Sequence, residues 1–175
     1  QNMCDDNLEF LVSSSIDDSD ALLGNVIISS KYECASFGEK HPNKDTSEVC
    51  TAMARSFADI GNIVRGRDMF KRNDQVYVEN GLKKLFNKIY NKLGPKGKKY
   101  YNDTNNKIKY VKLREGWWTA NRDQVWKAIT CEASTNANFF IKNSDGSKLF
   151  TSAGKCRRND NNVPTNLDYV PQFLR

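Results

Sequence analysis

The sequence predicts an all-α fold, a disulfide-linked helical bundle with long loops and at most a small hairpin, and three observations carry that expectation. Val49, Met53, Phe57, Ile60 and Val64 follow one another in steps of three and four, which lays an apolar stripe down one helix. Leu82, Leu85, Phe86, Ile89, Tyr90 and Leu93 make a second stripe, with Lys83, Lys84, Asn87, Lys88, Asn91 and Lys92 on the opposite face. The third observation is five cysteines in a 175-residue chain that is 38% hydrophobic, with a mean hydropathy of −0.71. A core this lean is expected to draw part of its stability from disulfides, in an oxidising compartment.

Taken in order, Asp5 to Leu11 reads as a short helix with acidic residues in its first turn, and Ser13 to Asp20 as a polar loop. Asp20 is the expected N-cap of a helix through Leu22, Leu23, Val26, Ile27, Ser30 and Cys34, ending near Phe37 before Gly38 and His41-Pro42. The central helix is expected to begin near Thr46, where Asp45-Thr46-Ser47-Glu48 supplies capping groups, and to run to Phe70. Gly94-Pro95 stops the lysine-faced helix, and Lys96 to Lys109 reads as a long polar loop. Thr119 or Asn121 is the expected cap of a helix through Val125, Trp126 and Ile129 to Cys131. Trp117, Trp118 and Trp126 belong in the core, because indoles at that density are costly to expose. Asn138 to Lys142 and Lys148 to Thr151 suggest a hairpin around Ser144-Asp145-Gly146, and the two prolines in Val163 to Pro171 impose an extended strap.

Catalytic patterns are missing from the sequence. Gly61 and Gly66 have phosphate-loop spacing, but Arg67-Asp68 stands where Lys and Ser or Thr are required. Arg65-Gly66-Arg67-Asp68 departs from an Arg-Gly-Asp tripeptide by its second arginine. Successive cysteines are 30, 16, 81 and 25 residues apart, unlike the close pairs that hold zinc. His41, the single histidine, precedes a proline in a loop and reads as a surface residue. No enzyme, metal or cofactor is expected.

Charge is distributed unevenly. Residues 1–60 carry eleven acidic and four basic side chains, net −7, whereas residues 83–114 carry eleven basic and one acidic, net +10. Such a surface attracts polyanions, or is simply a solvated lysine face. A nucleic-acid partner is disfavoured by the cysteine framework and by aromatics that read as core rather than interleaved with the lysines. No apolar run reaches the ~18 residues of a membrane span. The N-terminus has no leader pattern and the chain stops on an apolar segment, so a fragment of something longer is expected. Asn102-Asp103-Thr104 is an N-glycosylation acceptor pattern.

Ala54-Arg55-Ser56-Phe57-Ala58-Asp59-Ile60-Gly61, with Ile63-Val64-Arg65-Gly66-Arg67-Asp68, resembles the signature of the Duffy-binding-like domain, alpha class, of the malaria-parasite erythrocyte membrane protein 1 family. Cys4 to Leu11, Leu22 to Val26, Arg114 to Arg122 with Val125 to Cys131, and Pro164 to Arg175 resemble further family blocks in family order. Cys34 departs from the pattern, which there more usually has glycine.

The resemblance implies an adhesion module on the extracellular face of the infected erythrocyte, its anchor outside this chain. It implies binding to host red-cell receptors and heparan-sulfate-like glycans, rosetting, and antigenic variation. Residues 1–45 would be the end of a first subdomain and 46–175 the helical core of a second. Neighbouring domains of the same parent chain are implied partners; nucleic acid and membrane insertion are not. A Cys50–Cys131 bond would clamp two core helices in agreement with the family pattern, Cys4 would pair with Cys34, and Cys156 would be left over. The glycan site is expected on Lys83, Lys84, Lys88, Lys92, Lys96, Lys98, Lys99, Lys107, Lys109 and Lys112. The alternative is a structural and antigenic module that presents variable loops while neighbouring domains bind the receptor.

Overall fold

In the computed structural model of the chain, residues 18–40, 47–68, 73–103, 109–131, 133–134, 137–142, 145, 148–156 and 162–175 are described. The expected helix at Asp5 to Leu11, Cys4 and its pairing, His41 and Lys107 lie outside them. Among the described residues five helices come in chain order: α1 (Ser19–Lys40), α2 (Ser47–Arg65), α3 (Asn73–Lys92), α4 (Pro95–Tyr100) and α5 (Val111–Ile129). A hairpin of β1 (Asn138–Lys142) and β2 (Lys148–Lys155) follows, then two 3-10 turns, Leu167–Tyr169 and Gln172–Leu174. The predominantly helical fold with one small hairpin is the one expected; β2 runs four residues further than Thr151. The strands pair antiparallel, Phe140 opposite Phe150 and Ile141 opposite Leu149.

Several boundaries move for physical reasons. The cap of α1 is Asp18, not Asp20: its carboxylate accepts the backbone N–H of Ala21 at 2.9 Å and its carbonyl that of Leu22 at 3.2 Å. α2 ends at Arg65, not Phe70. The N–H of Gly66 bonds the Ile63 carbonyl at 3.0 Å and that of Arg67 the Asn62 carbonyl at 2.8 Å, the paired bonds of a Schellman stop with Gly66 at φ +71°. Gly66→Ala is therefore expected to destabilise the chain by about 1–3 kcal/mol, from left-handed strain and from a Cβ placed 2.8 Å from the Arg114 guanidinium carbon. A urea midpoint unmoved by this change would refute the assignment.

α5 begins at Val111, well before Thr119. Asn121 lies inside the helix, where its side-chain amide donates to the Trp117 carbonyl at 2.8 Å. The start is capped from a distance, by Asp103 accepting the Lys112 N–H at 2.9 Å. The start of the segment expected as a loop over Lys96 to Lys109 is helical: residues 95–100 form α4, begun by Pro95 at a position where its missing N–H costs nothing.

α2 and α5 run antiparallel through the core. Phe57 packs against Trp118 and Trp126, both with centroids 5.1 Å away, and one turn later Gly61 lies under the Trp118 ring. Beyond it, Arg114 reaches the end of α2. The whole predicted stripe from Val49 to Val64 is buried, as are all three tryptophans. Each large side chain so buried stabilises the fold by about 1.5–3 kcal/mol. α1 lies parallel to α5: Trp117 Nε1 donates to Ser19 Oγ at 3.0 Å near one end and Cys34 meets Cys131 at the other. Leu22 and Val26 of α1 join the core built by α2 and α5.

Buried polar groups lock the ends. Arg114, fully buried, donates from Nε to the Val64 carbonyl at 2.6 Å and from Nη2 to that of Ile63 at 3.0 Å. It also grips Glu79 of α3 with both Nη atoms, at 2.9 and 2.8 Å, and so joins α2, α3 and α5. The strap is fastened by Asp168, whose carboxylate accepts Trp118 Nε1 at 2.8 Å and Arg122 at 2.8 and 2.9 Å. Arg65 donates to the Asp168 main-chain carbonyl and to the Gly61 carbonyl. Burial pushes the Arg65 guanidinium below its ordinary pKa, while the carboxylates of Glu115 and Asp168 oppose that shift.

The expected cysteine pairing is corrected. Cys50 is bonded to Cys156, their Cα atoms 5.6 Å apart, so Cys156 is not the residue left over. Cys131, just past the end of α5, faces α1, with its sulfur 2.7 Å from that of Cys34. Helical spacing gives a level and no face when a helix is packed on several sides, as α5 is. The bond at Cys156 anchors the exit of β2 to α2, and Trp126 Nε1 reinforces it by donating to the Cys156 carbonyl at 3.0 Å.

Candidate functional site

The lysines expected to form a binding face come from three elements that the fold brings to one corner. On α3, Lys84, Lys88 and Lys92 recur every four residues on the exposed side, rising about 6 Å between neighbours. Lys92 in the last turn also complements the negative end of the helix. Lys83 is set apart. Its Nζ lies 3.7 Å from Glu79, the carboxylate that Arg114 holds, and so it belongs partly to the scaffold.

α4 folds back on the end of α3. Tyr90 of α3 donates its hydroxyl to the Lys98 carbonyl at 3.1 Å, and Gly97 sits so close to Leu93 that a Cβ there would fall 3.3 Å from that side chain. Lys96 and Lys99 are exposed on this turn, and Lys98 is half-buried. Tyr101 then reaches α5 beside Gly116.

Lys109 and Lys112, both exposed, arrive with the start of α5. Tyr110 between them adopts a left-handed φ of 61°, uncommon for a residue with a Cβ. It is held by ring contact with Tyr90 at 5.6 Å and by donating its hydroxyl to Asn87 Oδ1. The entry to α5 is thereby pinned to α3 at Asn87 and Tyr90. Asp103 is the acidic side chain of this segment, and one of its carboxylate oxygens is engaged by the Lys112 N–H.

The sequence placed Tyr90 on the α3 stripe but gave it and the other tyrosines no part in building this corner. Tyr90, Tyr101 and Tyr110 position it, and Tyr100 stands 71% exposed between Lys99 and the half-buried Tyr101, whose ring meets it edge-on at 4.8 Å. The run Lys98-Lys99-Tyr100-Tyr101 was the available signal, since two adjacent aromatics in a polar stretch seldom both stay in solvent. Among the described residues no group of three or more His, Cys, Asp or Glu is arranged to hold a metal ion, and no helix is long and apolar enough to cross a membrane.

The sequence model of the Duffy binding domain matches residues 1–175. The chain belongs to the Duffy-binding family. Among solved structures, the NTS-DBL1(alpha-1) domain of Plasmodium falciparum membrane protein 1 (PfEMP1) from the varO strain is 49% identical, with a TM-score of 0.83 over 98% of this chain. The NTS-DBL1-alpha and CIDR-gamma double domain of the same strain is also 49% identical, with a TM-score of 0.82 over 95% of the chain. This Duffy-binding chain spans 39% and 24% of those two structures. A PfEMP1 DBLb domain bound to human ICAM-1 is 33% identical, with a TM-score of 0.62 over 73% of the chain. No curated protein sequence matches it. The Duffy-binding signature residues lie mostly in the α2, α5 and strap interior, whereas the lysine corner lies outside them.

Proposed function

We propose that this Duffy-binding chain is a cell-adhesion module of a variant antigen on the outer face of the infected erythrocyte, and that its lysine corner holds a sulfated glycan of the host red-cell surface, supporting rosetting. The observation that carries this reading is that Lys84, Lys88, Lys92, Lys96, Lys99, Lys109 and Lys112 are all exposed, on three elements that the contacts of Tyr90 with Tyr110 and with the Lys98 carbonyl hold together. A sulfated polysaccharide presents repeated anionic groups that many separately weak, solvent-exposed ammonium groups can meet at once. Adhesion in the wider family supports it, since a DBLb relative is bound to human ICAM-1. Residues 46–175 would serve as the core of the second Duffy-binding subdomain, with neighbouring domains of the parent chain as further partners.

Replacing Lys88, Lys92, Lys96 and Lys99 together by glutamate is expected to weaken binding of the oxidised chain to immobilised heparin by about tenfold or more, each exposed contact contributing roughly 0.2–1 kcal/mol. Wild-type binding should also fall steeply with salt, since exposed charges are screened within about 8 Å at physiological ionic strength. Unchanged affinity and salt dependence in a variant of unchanged thermal midpoint would remove the site. If the wild-type chain bound neither heparin nor intact red cells, the antigenic-module reading would replace this one.

A further inference from the structure

Cys34 and Cys131 lie 97 residues apart in sequence, yet their sulfurs are 2.7 Å apart, nearer than two sulfurs that merely touch. Cys34 is fully buried on the inner face of α1, and Cys131 is partly exposed two residues past the end of α5. The helices are already held in register, because Ser19 meets Trp117 some fifteen residues back along both. Bringing the two sulfurs together therefore requires no movement of either helix.

We infer that Cys34 and Cys131 form a second disulfide, which covalently fastens α1 to the end of α5. Cys131, the more accessible thiol, loses its proton and attacks one sulfur of an incoming protein disulfide, the oxidised dithiol of an oxidoreductase. That bond breaks and a mixed disulfide forms. The Cys34 thiolate then displaces the oxidoreductase sulfur from Cys131. Both cysteine protons pass to solvent or to the departing dithiol, and the two electrons leave with that dithiol in its reduced form. The Cys50–Cys156 bond fastens α2 to the hairpin exit, so the two bonds act on different parts of the fold. Without the second bond, α1 is held to α5 by packing and hydrogen bonds alone.

The test is a peptide map of the 175-residue chain produced in an oxidising compartment, alkylated with iodoacetamide in denaturant and digested without reduction. The expected products are a Cys34 peptide joined to a Cys131 peptide, with a mass two hydrogens below their sum, and a separate Cys50–Cys156 pair. Alkylated Cys34 and Cys131 in chains whose Cys50–Cys156 bond is intact would overturn the inference, as would Cys131 joined to any other cysteine. A second measurement compares Cys34→Ser, Cys131→Ser and the double variant by thermal unfolding. Closing so long a loop predicts a loss on the order of 10 °C for Cys131→Ser, with the double variant falling well short of the sum of the singles. Additive losses would mark a packing contact and refute the bond.

Discussion

Asparagine in place of Asp168 is expected to destabilise the domain by about 3–5 kcal/mol, although the change replaces one oxygen by an NH2 of nearly equal size. The Asp168 side chain is fully buried, and that of Arg122 is 16% exposed. Arg122 meets the carboxylate through two nitrogens, at 2.8 and 2.9 Å, and Trp118 Nε1 adds a third donor at 2.8 Å. An asparagine oxygen at the Oδ2 position can keep Trp118 Nε1 and Arg122 Nε, but its NH2 then faces Arg122 Nη2 donor to donor. The guanidinium of Arg122 is left largely out of water without its anion, and the cost of breaking such a pair exceeds what the intact pair contributes. Arg65 retains its bond to the Asp168 main-chain carbonyl, so the strap is expected to loosen rather than detach. Urea unfolding reads the loss directly. An Arg122→Ala and Asp168→Asn double-mutant cycle should show strong coupling, and a loss under about 1 kcal/mol for Asp168→Asn would contradict this account.

Asp168 also shows where reading the sequence stops. Its neighbours Asn166, Leu167 and Tyr169 gave a strap and no partner, because the groups it joins lie 46 and 50 residues away at Arg122 and Trp118. The α2 stripe was legible because periodicity is local: Val49 to Val64 decides its own face wherever the rest of the chain goes. Caps and stops were legible only when local. Gly94-Pro95 was, whereas the distal cap of α5 by Asp103 was not. The cysteines failed for a related reason, since a pairing depends on which face of α5 meets α1 and which meets α2.

The candidate site divides in the same way. Charge asymmetry singled out its lysines as a group, because exposed charges can be counted without knowing a partner. What assembles them is the Tyr90–Tyr110 contact and the return of α4 against Leu93, and neither has a sequence signature. Arg65, Gly66 and Arg114 carry the opposite lesson. They lie in the most recognisable stretches of the chain, and the structure makes them helix-end fittings, which is why the family signature marks scaffold while the candidate binding surface lies elsewhere.

Removing the Trp118 indole is the second large loss expected. Trp118→Ala should cost about 3–5 kcal/mol, since the ring is fully buried between Phe57 and the α2 backbone and leaves a cavity that two long helices cannot collapse to fill. Trp118→Phe should cost less, because it keeps the contact with Phe57 and gives up the Nε1 donor to Asp168 together with the outer ring. Gly61 separates these contributions. A Cβ on Gly61 would stand 2.7 Å from Trp118 Cζ2 and 2.8 Å from Cε2, atoms of a rigid ring packed on its other side. Gly61→Ala alone is therefore expected to destabilise by about 1–3 kcal/mol, despite the ~1 kcal/mol that alanine ordinarily gains over glycine inside a helix. In a Trp118→Phe background the obstructing atoms are gone and only the helix gain remains, so the same substitution should stabilise. Unfolding measurements on the two single variants and the double variant decide it. A Gly61→Ala effect of the same sign and size in both backgrounds would show that glycine is there for some reason other than the indole above it.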